Sequence, residues 1–327
     1  MRRTSYKHYG INSSAIETHE AGVALIMVLW VLAILMVIAL SFSYLTRTET
    51  HSALSFKEGV ERKFLAEAGV ERALTEIFYR RQNFAIEGND SWKVDGTPHS
   101  DHLGDGEYTV KITDETGKID INAINDNSGI ILKNLLMNSG VQEETANTIV
   151  DSVLDWKDSS STGAHRLNGA GDDYYMSLPN PYKAKHANFD TLEELLLVKG
   201  ITPEILYGDS EKKGIINFLT VYSNMPTINV NAAPKEVLMA VPGITPEIAD
   251  AIISFRENKR VTNFQEVGIP PQSAQYINFS DSYVFSIESV GKKSDGKAGY
   301  PVKATVRLDA NNKYRFVYYK SPAAVGG

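Results

Sequence analysis

Residues 23–45 read VALIMVLWVLAILMVIALSFSYL, a long apolar run in which no side chain carries a charge. As an α-helix rising about 1.5 Å per residue, this run would extend about 35 Å, enough to cross a hydrocarbon core of about 30 Å. A cleaved secretory signal has a shorter apolar region that ends at small residues. We therefore expect this helix to stay attached to the protein as a membrane anchor.

The 327-residue chain as a whole has a composition close to that of soluble proteins, with 43% hydrophobic and 22% charged residues. Its 33 basic and 40 acidic side chains give a net charge of −7, which argues against nucleic-acid binding driven by counterion release. Cysteine is absent, so disulfides, thiolate metal sites and cysteine nucleophiles are excluded. The seven histidines form no HExxH pattern and no GxSxG elbow occurs, so we predict that the protein is not an enzyme.

The segment ahead of the anchor predicts its orientation. Arg2, Arg3 and Lys7 lie near the N-terminus, and positive residues favour the cytoplasmic side of a membrane. We therefore expect the N-terminus in the cytoplasm and the bulk of the chain on the opposite side. On hydropathy alone, a simple N-terminal anchor with a short tail explains this arrangement.

The junction at Gly22 supports a more specific hypothesis. Gly22 followed at once by VALIMVLWVL resembles a type IV prepilin-like signal. The longer stretch GVALIMVLWVLAIL is similar to the minor pseudopilin K family of type II secretion systems. The resemblance implies that a prepilin peptidase cuts between Gly22 and Val23 on the cytoplasmic side.

Most pilins and pseudopilins have Glu at the fifth position of the mature chain, where this sequence has Met27. A lone carboxylate in apolar surroundings costs several kcal/mol and persists only where it has a partner. A subunit with no neighbour above it has no use for that carboxylate. Met27 therefore fits a subunit at the tip of a fibre, as the resemblance implies.

The same resemblance implies a single-pass protein of the bacterial inner membrane with a periplasmic body. The implied partners are the minor pseudopilins I and J, pseudopilin H, the major pseudopilin and the prepilin peptidase. The implied function is to cap the tip of the periplasmic pseudopilus and to help start its assembly for protein export.

The periodicity beyond the anchor predicts an α+β fold. Apolar residues recur at helical spacing through residues 46–82, whereas residues 84–105 are expected to be loop. Alternating residues predict strands at 106–113 and 118–122, paired as a hairpin, and at 283–290, 302–308 and 314–319. We therefore predict a pseudopilin fold, a long N-terminal helix with one antiparallel sheet, interrupted by a large inserted α-helical domain.

The insertion contains a repeat that reads as two helix-hairpin-helix, or SAM-like, units. VPGITPEI at 241–248 echoes VKGITPEI at 198–205. In such a turn Gly takes a positive φ, Thr caps the next helix and Pro occupies its first position. Two further correspondences extend the repeat, residues 140–150 with 243–253, and Asn188-Phe189 with Asn263-Phe264.

These observations predict six segments. They are a leader at 1–22, a transmembrane helix at 23–45, a pseudopilin α/β domain at 46–122 and 281–327, a first helical domain at 123–225 with a long loop at 157–187, and a second helical domain at 226–280.

The second unit also resembles the module of membrane-anchored DNA-uptake proteins, which makes DNA binding the alternative function. Residues 229–268 contain four basic against five acidic side chains, and the turn from Pro242 to Glu247 has no basic residue. Hairpins that bind phosphate offer main-chain N–H groups with Lys or Arg close by. We therefore expect no nucleic-acid partner.

The long loop at 157–187 is a candidate calcium site. Carboxylates converging there would suit Ca²⁺, which prefers oxygen ligands, and the candidates are Asp158, Asp172 and Asp173. Calcium bound in this region is a feature that the family resemblance implies. The chain departs from the family's pattern at Ser160 and Gly171, where carboxylates are usual. The alternative is a metal-free loop in which these aspartates form turns and caps.

Overall fold

The computed structural model describes residues 14–82, 92–160, 165–280, 282–309, 311 and 313–323, with only the backbone of residues 14–21. The chain divides into two compact units, Met1–Glu61 and Arg62–Gly327. Helix α1, Ser14–Gln82, begins in the first unit and ends in the second. The helix predicted for residues 46–82 is therefore confirmed.

The first unit contains the apolar anchor. From Val23 to Tyr44 the large apolar side chains of α1 are between 49% and 73% exposed. Apolar surface left in water costs about 25 cal/mol per Å², so this surface requires an apolar environment. Among the described residues, α1 is the one helix with the length and composition to span a membrane.

The second unit is built on a five-stranded antiparallel sheet. The strands of the described chain are β1 (Asp95–Leu103), β2 (Gly106–Asp114), β3 (Ile119–Asp120), β4 (Leu219–Thr220), β5 (Ile228–Asn229), β6 (Ile277–Asn278), β7 (Val284–Lys293), β8 (Tyr300–Leu308) and β9 (Tyr314–Lys320). The large sheet has the order β1-β2-β7-β8-β9. The chain therefore leaves the sheet after β2 and returns beside β2 at β7, and the three predicted C-terminal strands are confirmed.

The second half of α1 packs on one face of this sheet. Its buried side chains, each at most 3% exposed, are Ala66, Val70, Ala73, Leu74 and Ile77. They form one core with apolar residues of β2, β7 and β8. Gly69 allows the helix to approach closely, because a Cβ there would lie 2.3 Å from Ser289 Oγ and 2.9 Å from Val110 Cγ2.

The hairpin predicted from strands 106–113 and 118–122 is wrong. β2 pairs instead with β1, which lies in the stretch expected to be loop, across a tight turn at Gly104 and Asp105. β1 shows no apolar alternation because its side chains are mostly exposed on both faces. β3 pairs in parallel with β4, and Ile119 and Ile121 are buried in the core of the insertion.

The insertion between β2 and β7 is mainly helical. Its α-helices are α2 (Gly129–Asn138), α3 (Glu143–Trp156), α4 (Asp172–Met176), α5 (Pro203–Tyr207), α6 (Lys235–Ala240) and α7 (Pro246–Asn258). Short 3-10 helices occupy Glu115–Gly117, Leu192–Leu197, Ile215–Phe218, Phe264–Val267 and Pro271–Tyr276. One hydrophobic core runs through both repeats. α2 and α6 meet in it, where Asn134 Nδ2 donates to Ala240 O at 2.9 Å.

Both GITPE turns have the predicted geometry. Gly200 and Gly243 have φ values of +90° and +89°, in the region that favours glycine. Thr202 and Thr245 each accept a hydrogen bond from the main-chain N–H three residues further on, and a proline follows each as the first helical residue. The predicted helix-to-helix turns are therefore confirmed.

The duplication begins earlier than the sequence correspondences indicated. Asn122 Nδ2 donates to Phe189 O at 2.9 Å, and Asn122 Oδ1 accepts from Phe189 N–H at 2.8 Å. Asn231 makes the same two bonds to Val261, at 3.0 and 2.9 Å. IDINA at 119–123 and INVNA at 228–232 therefore begin the two copies. This is why residues 118–122 do not pair with β2.

The correspondence predicted between Asn188-Phe189 and Asn263-Phe264 is wrong by three positions. Thr191 and Asn263 are the equivalent residues, since each precedes a 3-10 helix and forms a capping box, with Glu194 and Glu266 respectively. The Asn-Phe dipeptide that occurs in both segments suggested the wrong alignment. The capping box identifies the main-chain positions that are equivalent in the two repeats.

Candidate functional site

The N-terminal part of α1 contains the predicted peptidase cleavage site and the residue that indicates a position at the tip of a fibre. Gly22, Val23 and Met27 all lie within α1. Val23 is 49% exposed and Met27 is 62% exposed. No Asp or Glu occurs between Val23 and Leu45. Position 27 therefore presents an apolar thioether, and no carboxylate of the anchor is available to neutralise a neighbouring charge.

The long loop that follows α3 packs around a buried tryptophan. The Trp156 ring meets Tyr175 edge-on at a centroid distance of 5.2 Å and stacks on Phe189 at 6.3 Å. Tyr182 stacks on Tyr175 at 5.3 Å. Burial raises the pKa of Tyr175 to about 12. This aromatic cluster brings the two ends of the loop together at the end of α3.

Two of the predicted aspartates contact one imidazole. His186 Nδ1 lies 2.9 Å from the main-chain oxygen of Asp158, and its Nε2 lies 3.2 Å from Asp172 Oδ1. The hydrogen bond with the Asp158 oxygen is the main cause that raises the pKa of His186. Asp173 lies exposed in the first turn of α4. Within the described part of the chain, no three His, Asp or Glu side chains are placed to hold a metal ion.

A second group of charges, which no sequence motif marks, lies at the base of the loop. Arg166 Nη1 is 2.7 Å from Asp155 Oδ1, and Arg166 Nε is 2.7 Å from Asp126 Oδ1. Asp155 is only 6% exposed. The hydrogen bond from Arg166 holds the pKa of Asp126 below its usual range and raises that of Arg166. The sequence signal available for this group was Arg166, a basic residue that lies between the acidic residues Asp158 and Asp172 of the loop.

Lys157, the first residue after α3, is also turned inward. Its Nζ donates to the main-chain oxygens of Ile121 at 3.1 Å and Asn122 at 2.9 Å, and to that of Ile124. Burial lowers the pKa of Lys157 to about 8. The ammonium therefore ties the end of α3 to the segment that begins the first repeat.

The helix-hairpin-helix turn of the second repeat is surrounded by internal contacts. Ser273 Oγ donates to Pro242 O at 2.7 Å, and a Cβ at Gly243 would lie 3.0 Å from Ser273 Oγ. Each of the four basic residues in 229–268 has a partner within the protein. These contacts are Lys235 with Asp250, Arg256 with the oxygens of Val230 and Ala233, Lys259 with Glu266, and Arg260 with Phe279 O.

Comparison with known protein families finds two matches along the insertion. Residues 115–207 match the family described as type II secretion system protein K, and residues 223–268 match the helix-hairpin-helix motif. The first match begins directly after β2 and contains the long loop with its aromatic and charged clusters. The second contains the GITPE turn between α6 and α7.

Individual relatives show the same similarity over longer stretches. Type II secretion system protein K of Pseudomonas aeruginosa is 26% identical over 252 residues, which cover 72% of each chain. The protein K of Pectobacterium carotovorum subsp. carotovorum is 29% identical over 212 residues, covering 58% of this chain and 61% of that one. The crystal structure of the GspK-GspI-GspJ complex from enterotoxigenic Escherichia coli contains a chain of similar fold. The TM-score is 0.64 at 14% identity, and the match covers 84% of this chain and all of that one.

An apolar N-terminal helix long enough to span a membrane, with its second half packed on an antiparallel sheet, is the pseudopilin fold. The protein K family match lies within the large helical insertion between the adjacent strands β2 and β7. Residues 115–207 carry the protein K domain of type II secretion systems, and the chain is similar to proteins K over more than half of its length.

Proposed function

We propose that this minor pseudopilin caps the tip of a periplasmic pseudopilus and helps to start its assembly. It is held in the bacterial inner membrane by residues 23–45, with the N-terminus in the cytoplasm. Its direct partners are minor pseudopilins I and J, by analogy with the GspK-GspI-GspJ complex that contains the chain of similar fold. Pseudopilin H and the major pseudopilin are partners in the assembled fibre.

The observation that carries this proposal is the apolar Met27. In a stack of anchor helices, a carboxylate at this level can pair with the terminal ammonium of the next subunit, and without that partner it costs several kcal/mol. A chain with no carboxylate anywhere in residues 23–45 cannot make this pairing. Such a chain is suited to the tip of the fibre, where no subunit lies above it.

The insertion supports the same position. The described residues between 115 and 283 form a body with a hydrophobic core, attached where the chain leaves β2 and where it returns at β7. A body of this size beside the sheet would obstruct the close stacking that subunits in a fibre shaft require. At the tip it has free space around it.

Processing between Gly22 and Val23 is part of the proposal. A Cβ at Gly22 would meet none of the described atoms within 4 Å, so packing within the protein does not explain the glycine. Recognition by a prepilin peptidase does. Mass spectrometry of the membrane-extracted protein should find Val23 as the first residue, and Gly22→Leu should keep the full leader. Cleavage at another bond would contradict this assignment.

The position at the tip is tested by imaging and by substitution at residue 27. Gold-labelled copies should be found at one end of isolated pseudopili. Met27→Glu should reduce co-purification with pseudopilins I and J and reduce protein export, because it places an unpaired carboxylate in the anchor. Met27→Leu is the matched control and should behave as the wild type. Label spaced regularly along the shaft would refute the proposal.

A further inference from the structure

Calcium in the loop at 157–187 is implied by the family resemblance, and two carboxylates at the base of this loop, buried Asp155 and exposed Asp126, are already paired. The Arg166 guanidinium lies between Asp155 and Asp126, at 2.7 Å from each. A divalent ion bridging these two carboxylates would have to displace the guanidinium. Arg166 would then lose both of its charged partners, and removing one member of a buried ion pair is strongly unfavourable.

The surroundings of Asp155 leave no room for an additional ligand. Besides the guanidinium, the main-chain N–H of Arg166 donates to both carboxylate oxygens, at 3.2 and 3.1 Å. On another side a Cβ at Gly169 would lie 1.8 Å from Asp155 Oδ2. The loop main chain therefore packs directly against this carboxylate, in the space that an ion and its waters would need.

A second cation is held beside the first. Lys157 Nζ reaches three main-chain oxygens, those of Ile121, Asn122 and Ile124. An ammonium has three N–H donors, so these contacts use all of them. Carbonyl oxygens are also ligands that calcium commonly takes in proteins. In this protein the three carbonyl oxygens accept hydrogen bonds from the Lys157 ammonium instead.

The outer aspartates do not supply an alternative site. The Asp158 carboxylate accepts a hydrogen bond from Ser160 N–H at 2.8 Å. Asp172 Oδ1 accepts one from Ala184 N–H at 2.9 Å and contacts His186. Ser160 and Gly171 stand where carboxylates are usual in the family. Asp173 is exposed in the first turn of α4, and no three His, Asp or Glu side chains of the described residues are placed to hold a metal ion, so the residues present do not fit a calcium ion.

We propose that Arg166 and Lys157 take the place of calcium in this chain, cross-linking the acidic base of the loop so that it closes without a metal. Arg166 pairs with the carboxylates of Asp155 and Asp126, and the Lys157 ammonium takes up the main-chain oxygens of residues 121, 122 and 124. The loop keeps its conformation when divalent ions are removed. This property of the insertion is independent of where the subunit lies in a fibre.

The first test compares the melting temperature of the detergent-solubilised full chain in excess Ca²⁺ and in excess chelator. We expect the two values to agree within about 1 °C, because a ligand that does not bind the folded protein cannot stabilise it. We also expect chymotrypsin to cut the loop, in which Leu167 is 95% exposed, at the same rate in both conditions. A rise of several degrees in calcium, or calcium-dependent protection of the loop, would overturn the proposal.

The second test removes the guanidinium. Arg166→Met should lower the melting temperature by roughly 10 °C, because Asp155 stays buried without its cation. The double variant Arg166→Met with Asp155→Asn should recover about half of that loss, since both partners are then removed. Arg315→Met, which removes an exposed arginine on β9, is the matched control and should melt as the wild type does. An Arg166→Met variant as stable as this control would also overturn the proposal.

Discussion

The carboxylate of Asp114 accepts a hydrogen bond from the hydroxyl of Ser282, which joins the last residue of β2 to the segment just before β7. Thr116 donates to the same carboxylate from its N–H at 2.9 Å and from its hydroxyl at 2.7 Å. Asn229 Nδ2 donates to Ser282 Oγ at 3.2 Å and to Thr116 Oγ1 at 3.1 Å. The segment that leaves the sheet after β2 and the segment that returns before β7 therefore both bond to the buried Asp114 carboxylate. Asn229, at the start of the second repeat, bonds to both segments.

The first prediction concerns the pH dependence of stability. Burial raises the pKa of Asp114 from 3.8 to about 6. For a carboxyl whose pKa is raised by folding, the stabilising contribution is complete below pH 3.8 and is lost as the pH rises through about 6. The difference corresponds to about 3 kcal/mol. Asn at this position does not titrate, so the variant keeps the stability that the wild type loses. The unfolding free energy of Asp114→Asn minus that of the wild type should therefore increase by about 3 kcal/mol from pH 3.5 to pH 7.5, as measured by urea unfolding.

Asp209→Asn is the control for this measurement. The main-chain N–H groups of Glu211 and Lys212 hold the pKa of Asp209 below its usual range. Its contribution therefore has the opposite sign, and Asp209→Asn should lose stability relative to the wild type over the same interval. A constant difference between Asp114→Asn and the wild type at all pH values would show that Asp114 does not titrate as proposed.

The second prediction compares two glycines of α1, each of which lowers helix propensity by about 1 kcal/mol relative to alanine. A Cβ at Gly59 would meet no described atom within 4 Å, whereas a Cβ at Gly69 would overlap Ser289 Oγ and Val110 Cγ2. Gly59→Ala should therefore stabilise the protein by up to about 1 kcal/mol. Gly69→Ala should destabilise it by about 1–3 kcal/mol, because the helix must move away from the sheet. Equal effects in denaturant unfolding would contradict the close packing.

The third prediction concerns the duplicated asparagines. Asn122→Ala and Asn231→Ala each remove two hydrogen bonds and leave the main-chain groups of a buried residue, Phe189 or Val261, without that partner. We expect each variant to lose about 2–4 kcal/mol of unfolding free energy, and the two losses to be similar. Asn138→Ala, which removes one 3.3 Å hydrogen bond at an exposed position, should lose less than 1 kcal/mol, on the order of a net surface hydrogen bond. A large loss for only one of the two asparagines would show that the repeats are not equivalent.

The fourth prediction concerns nucleic acid. The basic residues of the helix-hairpin-helix unit are engaged within the protein, and Glu247 follows the hairpin turn. The full chain in detergent should therefore show no binding to duplex DNA that weakens with rising salt in a mobility-shift titration. Glu247→Lys should bind duplex DNA only weakly, since one new cation does not supply a phosphate-binding surface. Tight, salt-sensitive binding by the wild type would restore the DNA-uptake alternative.

Features that depend on neighbours along the chain were predictable. The anchor follows from the length and composition of residues 23–45, and the GITPE turns follow from the conformational preferences of Gly, Thr and Pro. The three C-terminal strands follow from their β-rich composition and the turns between them. The similarity to the protein K family rests on the same local patterns.

Contacts between distant segments were not predictable. β1 is exposed on most of its surface, so no periodicity marks it. Residues 118–122 alternate as a strand of the large sheet would, although β3 pairs with β4 in a separate two-stranded sheet. The candidate calcium ligands were chosen for their acidity. Two of them contact His186 from a distant part of the loop, and Arg166 bonds instead to Asp155 and to Asp126, which lies ahead of α2.

The amino-acid order alone thus specified an apolar helix long enough to span a membrane, a sheet and a repeated helical hairpin, because each is encoded by residues within a few positions of one another. Folding in three dimensions determined which strands pair and which charges meet. Asp114 and Ser282 are separated by 168 positions, and Asp126 and Arg166 by 40. Such contacts depend on the path of the whole chain, and no short pattern records them.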